Sequence, residues 1–155
     1  MGKKALIVGI DEYPGCPLRG CVNDAKEVAS LLERNADGTK NFDVRCLLNN
    51  VSKDTLLEQT KELFKFDDDI ALFYFSGHGS RSDKNEYICT PDGTSSFPGL
   101  NLLDILQIAN KSLCKNRIII LDSCFSGGMG DSCMQFFIKF MLQNPKCRTP
   151  LLISR

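Results

Sequence analysis

Three short runs are apolar at nearly every position: Ala5-Leu6-Ile7-Val8-Gly9-Ile10, Ile70-Ala71-Leu72-Phe73-Tyr74-Phe75, and Ile118-Ile119-Ile120-Leu121 behind Arg117. Each is too short for a helix and is bounded by turn residues, so each reads as a strand buried on both faces. Such strands need cover above and below their sheet. That requirement points to a mostly parallel sheet with helices on each side, an α/β architecture.

The intervening segments fit this reading. Pro14, Gly15, Pro17 and Gly20 break up the stretch after the first run, and a helix is expected from about Asn23-Asp24, with Ala25, Val28, Ala29 and Leu32 along one face. A polar loop over 35–41 leads to a strand from Phe42 to Leu48. Ser52 with Asp54 and Thr55 opens a second helix carrying Leu56, Leu57, Leu63 and Phe64, and Asp67-Asp68-Asp69 ends it. Beyond the Ile70 run come a short strand at Tyr87 to Thr90, a helix over about Leu102 to Ala109, and the strand Arg117–Leu121. A helix is expected from Met134 to Leu142, and Leu151 to Ser154 reads as the start of a further strand.

The chain of 155 residues is one domain's length. Its 19 basic and 19 acidic residues cancel, so no global positive field exists to hold nucleic acid or an anionic membrane. The apolar run near the amino terminus is too short for a signal peptide core or a membrane span. A cytoplasmic protein is expected. The eight cysteines (16, 21, 46, 89, 114, 124, 133 and 147) form no CxxC pair, and one histidine cannot complete a zinc set. Most are expected to be reduced, buried thiols.

In parallel sheets the working groups lie beyond the carboxyl ends of the strands. Two strand ends here carry reactive groups in Gly-rich loops: Ser76-Gly77-His78-Gly79-Ser80, and Asp122-Ser123-Cys124-Phe125-Ser126-Gly127-Gly128. Residues two apart on extended chain point the same way, which pairs Ser76 with His78 and Asp122 with Cys124. A thiol is only a few per cent ionised near neutral pH and needs a base; imidazole suits that task. Cys124 and His78 are therefore the candidate nucleophile and base, and the amides of Gly79 and Cys124 are candidate donors to an oxyanion. The lone histidine, an isolated cysteine or a Gly-rich loop would each be unremarkable alone; their conjunction at neighbouring strand ends is not. Neither GxGxxG nor GxxxxGK[ST] is present to suggest phosphate binding.

The blocks Tyr74-Phe75-Ser76-Gly77-His78-Gly79 and Leu121-Asp122-Ser123-Cys124-Phe125-Ser126-Gly127-Gly128 resemble the two catalytic blocks of metacaspases and their bacterial caspase-like relatives. Lys4-Ala5-Leu6-Ile7-Val8-Gly9-Ile10 followed by Leu18-Arg19-Gly20-Cys21-Val22-Asn23-Asp24-Ala25 resembles that family's opening strand, loop and helix. True caspases match less well, because their QACxG motif is not present. The resemblance implies a three-layer caspase-like fold and a cysteine endopeptidase cutting after Arg or Lys. It further implies a pocket for the basic side chain built on Asp24 and Asp122, with Cys21 and Ser76 lining it. A guanidinium entering a partly dry pocket calls for opposing carboxylates. Asp24 equally suits a helix first turn, and Asp122 could instead orient His78.

The sequence departs from the family pattern in two places. Many metacaspases need calcium; Asp92 and Asp131 match two of the expected aspartates, but Asn101-Leu102-Leu103 replaces an acidic pair and only Asp104 is near. Calcium wants six or more oxygen ligands, so the chemistry is expected to need no cofactor and calcium activation stays open. The family's closing small-subunit strands are also expected to be missing after Arg155, leaving a truncated or processed large-subunit-like domain that a partner segment would complete. The expected partners are peptides with Arg or Lys before the scissile bond. The alternatives are a caspase-like interaction or oligomerisation module without turnover, and a doubly wound small-molecule-binding domain.

Overall fold

In the computed structural model, which describes residues 2–82, 85–123 and 137–140, the three apolar runs become adjacent parallel strands. The elements in chain order are β1 (Lys3–Gly9), α1 (Cys21–Glu33), β2 (Asp43–Leu48), α2 (Lys53–Leu63), β3 (Ile70–Ser76), β4 (Gly79–Ser82), β5 (Asn85–Cys89), β6 (Gly99–Asn101), α3 (Leu102–Lys111), β7 (Asn116–Asp122) and β8 (Phe137–Phe140). The main sheet has the order β2-β1-β3-β7-β8. Its first four strands are parallel and β8 runs antiparallel to β7.

Side-chain alternation divides the core in two. Ala5, Ile7, Leu72 and Tyr74 face α1 and pack with its Ala25 and Ala29. Leu6, Val8, Phe73, Phe75, Ile119 and Leu121 face the other way, against Leu56 and Leu63 of α2 and Ile105 and Ala109 of α3. A sheet sandwiched between helices on both faces is the three-layer arrangement required by strands with no polar face. On α1 the expected apolar stripe is the observed one: Ala25 and Ala29 are buried, and Val28 and Leu32 pack against the same cluster. Gly9 makes the close approach of α1 possible. A Cβ there would come within 2.5 Å of both the Ala25 methyl carbon and the Cys21 carbonyl oxygen.

Several expectations are corrected. The helix foreseen over Met134 to Leu142 is contradicted at its centre, where Phe137–Phe140 pairs with Ile118–Leu121 as strand β8. Aromatic and β-branched residues accept the extended conformation, and the open edge of β7 supplies the backbone partners that helix propensity alone does not weigh. The segment after β3, where one short strand at Tyr87 to Thr90 was expected, forms a second, antiparallel sheet β4-β5-β6. The first helix starts at Cys21, ahead of Asn23-Asp24. The thiols are not mostly buried: of the five free cysteines among the described residues, Cys16 and Cys46 are exposed, Cys21 and Cys89 intermediate, and only Cys114 is buried. Cys16 lies in the β1–α1 loop and Cys46 on edge strand β2, which has little cover. The strand foreseen at Leu151 to Ser154 lies outside the described residues. No helix among the described residues is long and apolar enough to cross a membrane.

Candidate active site

The carboxyl ends of β1, β3 and β7 meet at one edge of the main sheet. Ser76 stands opposite Asp122 in the parallel register, Ile10 N–H donates to the Ser76 carbonyl at 3.0 Å, and Gly77 N–H donates to the Asp122 carbonyl at 3.3 Å. The Gly-rich turn carrying His78 is thereby tied to both neighbouring strands.

The loop between β1 and α1 is fixed from two directions. Asn49, at the end of β2 in a left-handed conformation (φ 55°), accepts hydrogen bonds on its side-chain oxygen from Asp11 N–H (2.9 Å) and Glu12 N–H (3.3 Å). The Asp11 carboxylate in turn accepts from Cys21 N–H (2.9 Å) and Val22 N–H (3.3 Å), the first amides of α1. The preceding Gly20 has φ 111° and no side chain to cap them. A distant carboxylate therefore does what a local Ser or Asp usually does.

This loop holds the histidine. His78 Nε2 lies 2.7 Å from the Cys16 carbonyl oxygen. A carbonyl can only accept, so the ring proton belongs on Nε2, and in the neutral imidazole Nδ1 keeps the lone pair. Nδ1 is then the atom able to take a proton from a nucleophile. The Tyr13 ring packs on the imidazole with centroids 4.6 Å apart at a 59° tilt. Gly79, the first residue of β4, pairs with Ile88. Because His78 O accepts from Cys89 N–H (2.8 Å) at the preceding pair, the Gly79 pair is a non-hydrogen-bonded one, and its amide turns away from β5. That amide is free of the ladder.

The residues foreseen as a pocket also assemble, on the α1 side of the sheet. Tyr74 hydroxyl donates to Asp122 Oδ2 at 3.4 Å. Burial pushes the Asp122 carboxyl above the ordinary carboxylate range, the negative charge of Asp24 adds to the rise, and the Tyr74 hydrogen bond opposes it. Burial likewise raises the Tyr74 phenol, with Asp122 and Asp24 contributing through their charges. The Cys21 thiol is raised by burial, lowered by a hydrogen bond with Ser76, and raised by the charges of Asp11 and Asp122. Asp24, Asp122, Cys21 and Ser76 thus share one electrostatic neighbourhood. Among the described residues no Lys or Arg is ion-paired with either Asp24 or Asp122.

The remaining candidates part company with these. Cys124 lies outside the described residues, one position beyond Ser123, and so does Asp131. Asp92 is engaged elsewhere: its two carboxylate oxygens accept from Lys53 N–H at 3.1 and 3.2 Å, capping α2. Among the described residues no three acidic, histidine or cysteine side chains group as a metal site. Tyr13, Tyr74, Asp11 and the Cys16 carbonyl were not foreseen. Only Tyr74 had a usable signal, since strand alternation sets it two residues before Ser76 on the same face.

The caspase-domain family model matches residues 2–143, spanning every strand end just described. The chain belongs to the caspase-domain family. Comparison with curated proteins returns no match. Membership makes this a cysteine-peptidase type of domain, in agreement with the three-layer sheet. In this caspase domain, the described sheet edge carries an oriented imidazole and, on the α1 side, the neighbouring carboxylates of Asp24 and Asp122.

Proposed function

We propose that this caspase domain is an endopeptidase that hydrolyses peptide bonds after Arg or Lys, with Cys124 as nucleophile and His78 as base. In this reading Nδ1 of His78 takes the thiol proton, and the thiolate attacks the scissile carbonyl carbon. The tetrahedral oxyanion receives hydrogen bonds from the amides of Gly79 and Cys124, donors worth about 3–4 kcal/mol each in comparable sites. The protonated imidazole then gives its proton to the departing amine, and water hydrolyses the thioester to release the acid and restore the thiol. No cofactor enters these steps.

The observation that carries the specificity is the carboxylate pair. The charge of Asp24 adds to the electrostatic cost of ionising Asp122, with neither carboxylate ion-paired to a Lys or Arg among the described residues, beside the strand end that bears His78. A cationic side chain would relieve that cost, and a carboxylate would add to it. Two of the described thiols near the site are disfavoured as nucleophiles: burial raises Cys21, and pushes Cys89 up to about 11.

The test is cleavage of matched fluorogenic peptides ending in Arg, Lys or Asp, with Cys124→Ala as the control. Turnover of the Arg and Lys peptides by the wild type alone is the expected result. Preference for Asp, or a Cys124→Ala variant as active as wild type, would refute the reading. A protein that is inert to all three and self-associates would instead be an interaction module.

A further inference from the structure

The β4–β5 ladder has an anomaly at its first rung. His78 and Cys89 stand as a hydrogen-bonded pair, and one of their two bonds is present: Cys89 N–H to His78 O at 2.8 Å. The reciprocal bond is replaced. His78 N–H donates to the Tyr13 hydroxyl at 3.1 Å, and the same hydroxyl donates to the Cys89 carbonyl at 3.2 Å. A phenol oxygen therefore sits where one N–H···O bond of about 2.9 Å would otherwise close. The residue is 8% exposed, and its ring leans on the imidazole. Gly77 leaves room for it, since a Cβ at that position would collide with the Tyr13 hydroxyl.

We propose that Tyr13 is the positioning residue for His78, its hydroxyl acting as a spacer that holds the first rung open so that the imidazole stays on the Cys16 carbonyl. This rests on the peptidase reading for its catalytic consequence, though not for its geometry. Without the hydroxyl the two strands can close directly, drawing His78 toward β5 and its Nε2 away from Cys16. The Nε2–H tautomer then loses its selective partner, and Nδ1 is no longer reserved as the acceptor. Displacements of this size far from the reacting bond cost rate out of proportion to stability.

Because His78 is the only histidine, its ring nitrogens give a single set of signals in the full chain with labelled histidine. The wild type is expected to show the Nε2–H tautomer at neutral pH. Tyr13→Phe, which keeps the ring, is expected to move both ring-nitrogen shifts toward those of free imidazole. On Arg peptides it should lower kcat about tenfold with KM unchanged. Gly77→Ala, which pushes on the same hydroxyl from the other side, should move the shifts likewise and provides the readout if Tyr13→Phe does not fold. Unchanged ring-nitrogen signals in the folded variants overturn the proposal, whatever the activity. Altered signals with wild-type kcat overturn its catalytic part. An inactive wild type whose signals still respond to Tyr13→Phe refutes the peptidase reading and leaves the positioning role standing.

Discussion

At the scale of single residues, Asp122 carries conflicting demands. Its carboxyl is raised by burial and by Asp24, so the folded chain holds that proton more tightly than the unfolded chain does. Its contribution to stability is fully present below the unfolded value and is lost as pH rises through the folded one. At neutral pH the ionised group is therefore a cost to the fold that binding a cation would offset. Asp122→Asn should raise the melting temperature slightly at pH 7, and should lower kcat/KM for Arg peptides roughly 10²-fold or more, the scale of removing one partner from a partly buried charge pair. Thermal unfolding and steady-state kinetics on one preparation check both. A variant that loses stability while keeping activity would mean that Asp122 serves the fold and not a pocket. Asp122 and His78 were legible because both follow apolar strands. Tyr13 was not, since a tyrosine in a Pro- and Gly-rich loop has no periodicity to show where it lands.

At the scale of elements, legibility depended on whether the stabilising partner was local. The second helix begins where its own residues say it should: Ser52 caps it, its hydroxyl accepting from Thr55 N–H at 3.2 Å. The first helix is capped by Asp11, ten residues before Cys21, whose N–H donates to its carboxylate, so nothing beside Cys21 announced its start. Strands β4 and β6 escaped notice for the same reason, because Gly79–Ser82 and Gly99–Asn101 are defined by pairing with β5 and not by an apolar pattern. Asp11 joins helix and loop in a single contact. Asp11→Ala should cost about 1–2 kcal/mol by denaturant unfolding, in the range of a lost helix cap, and should reduce activity further than that loss explains, since the Cys16 carbonyl rides on the same loop. Asp11→Asn, which retains an acceptor, should recover part of both. Equal stability in all three proteins would show that the cap is dispensable.

At the scale of the whole molecule, the apolar runs by themselves specify the sheet. Strands with no polar face have few ways to be covered, and the two core clusters on opposite faces of β1, β3 and β7 are the direct result. The same architecture brings Asp24 from α1, His78 from beyond β3 and Asp122 from the end of β7 to one edge, although they are far apart in sequence. The central claim is that this edge is the working face of a peptidase whose nucleophile is Cys124. An arginyl peptide chloromethyl ketone, followed by mapping of the labelled peptide, tests it most directly. The account expects one adduct, on Cys124 among the eight cysteines, formed much more slowly in His78→Ala. Labelling of the exposed Cys16 instead, or equal labelling by an aspartyl ketone, would contradict it.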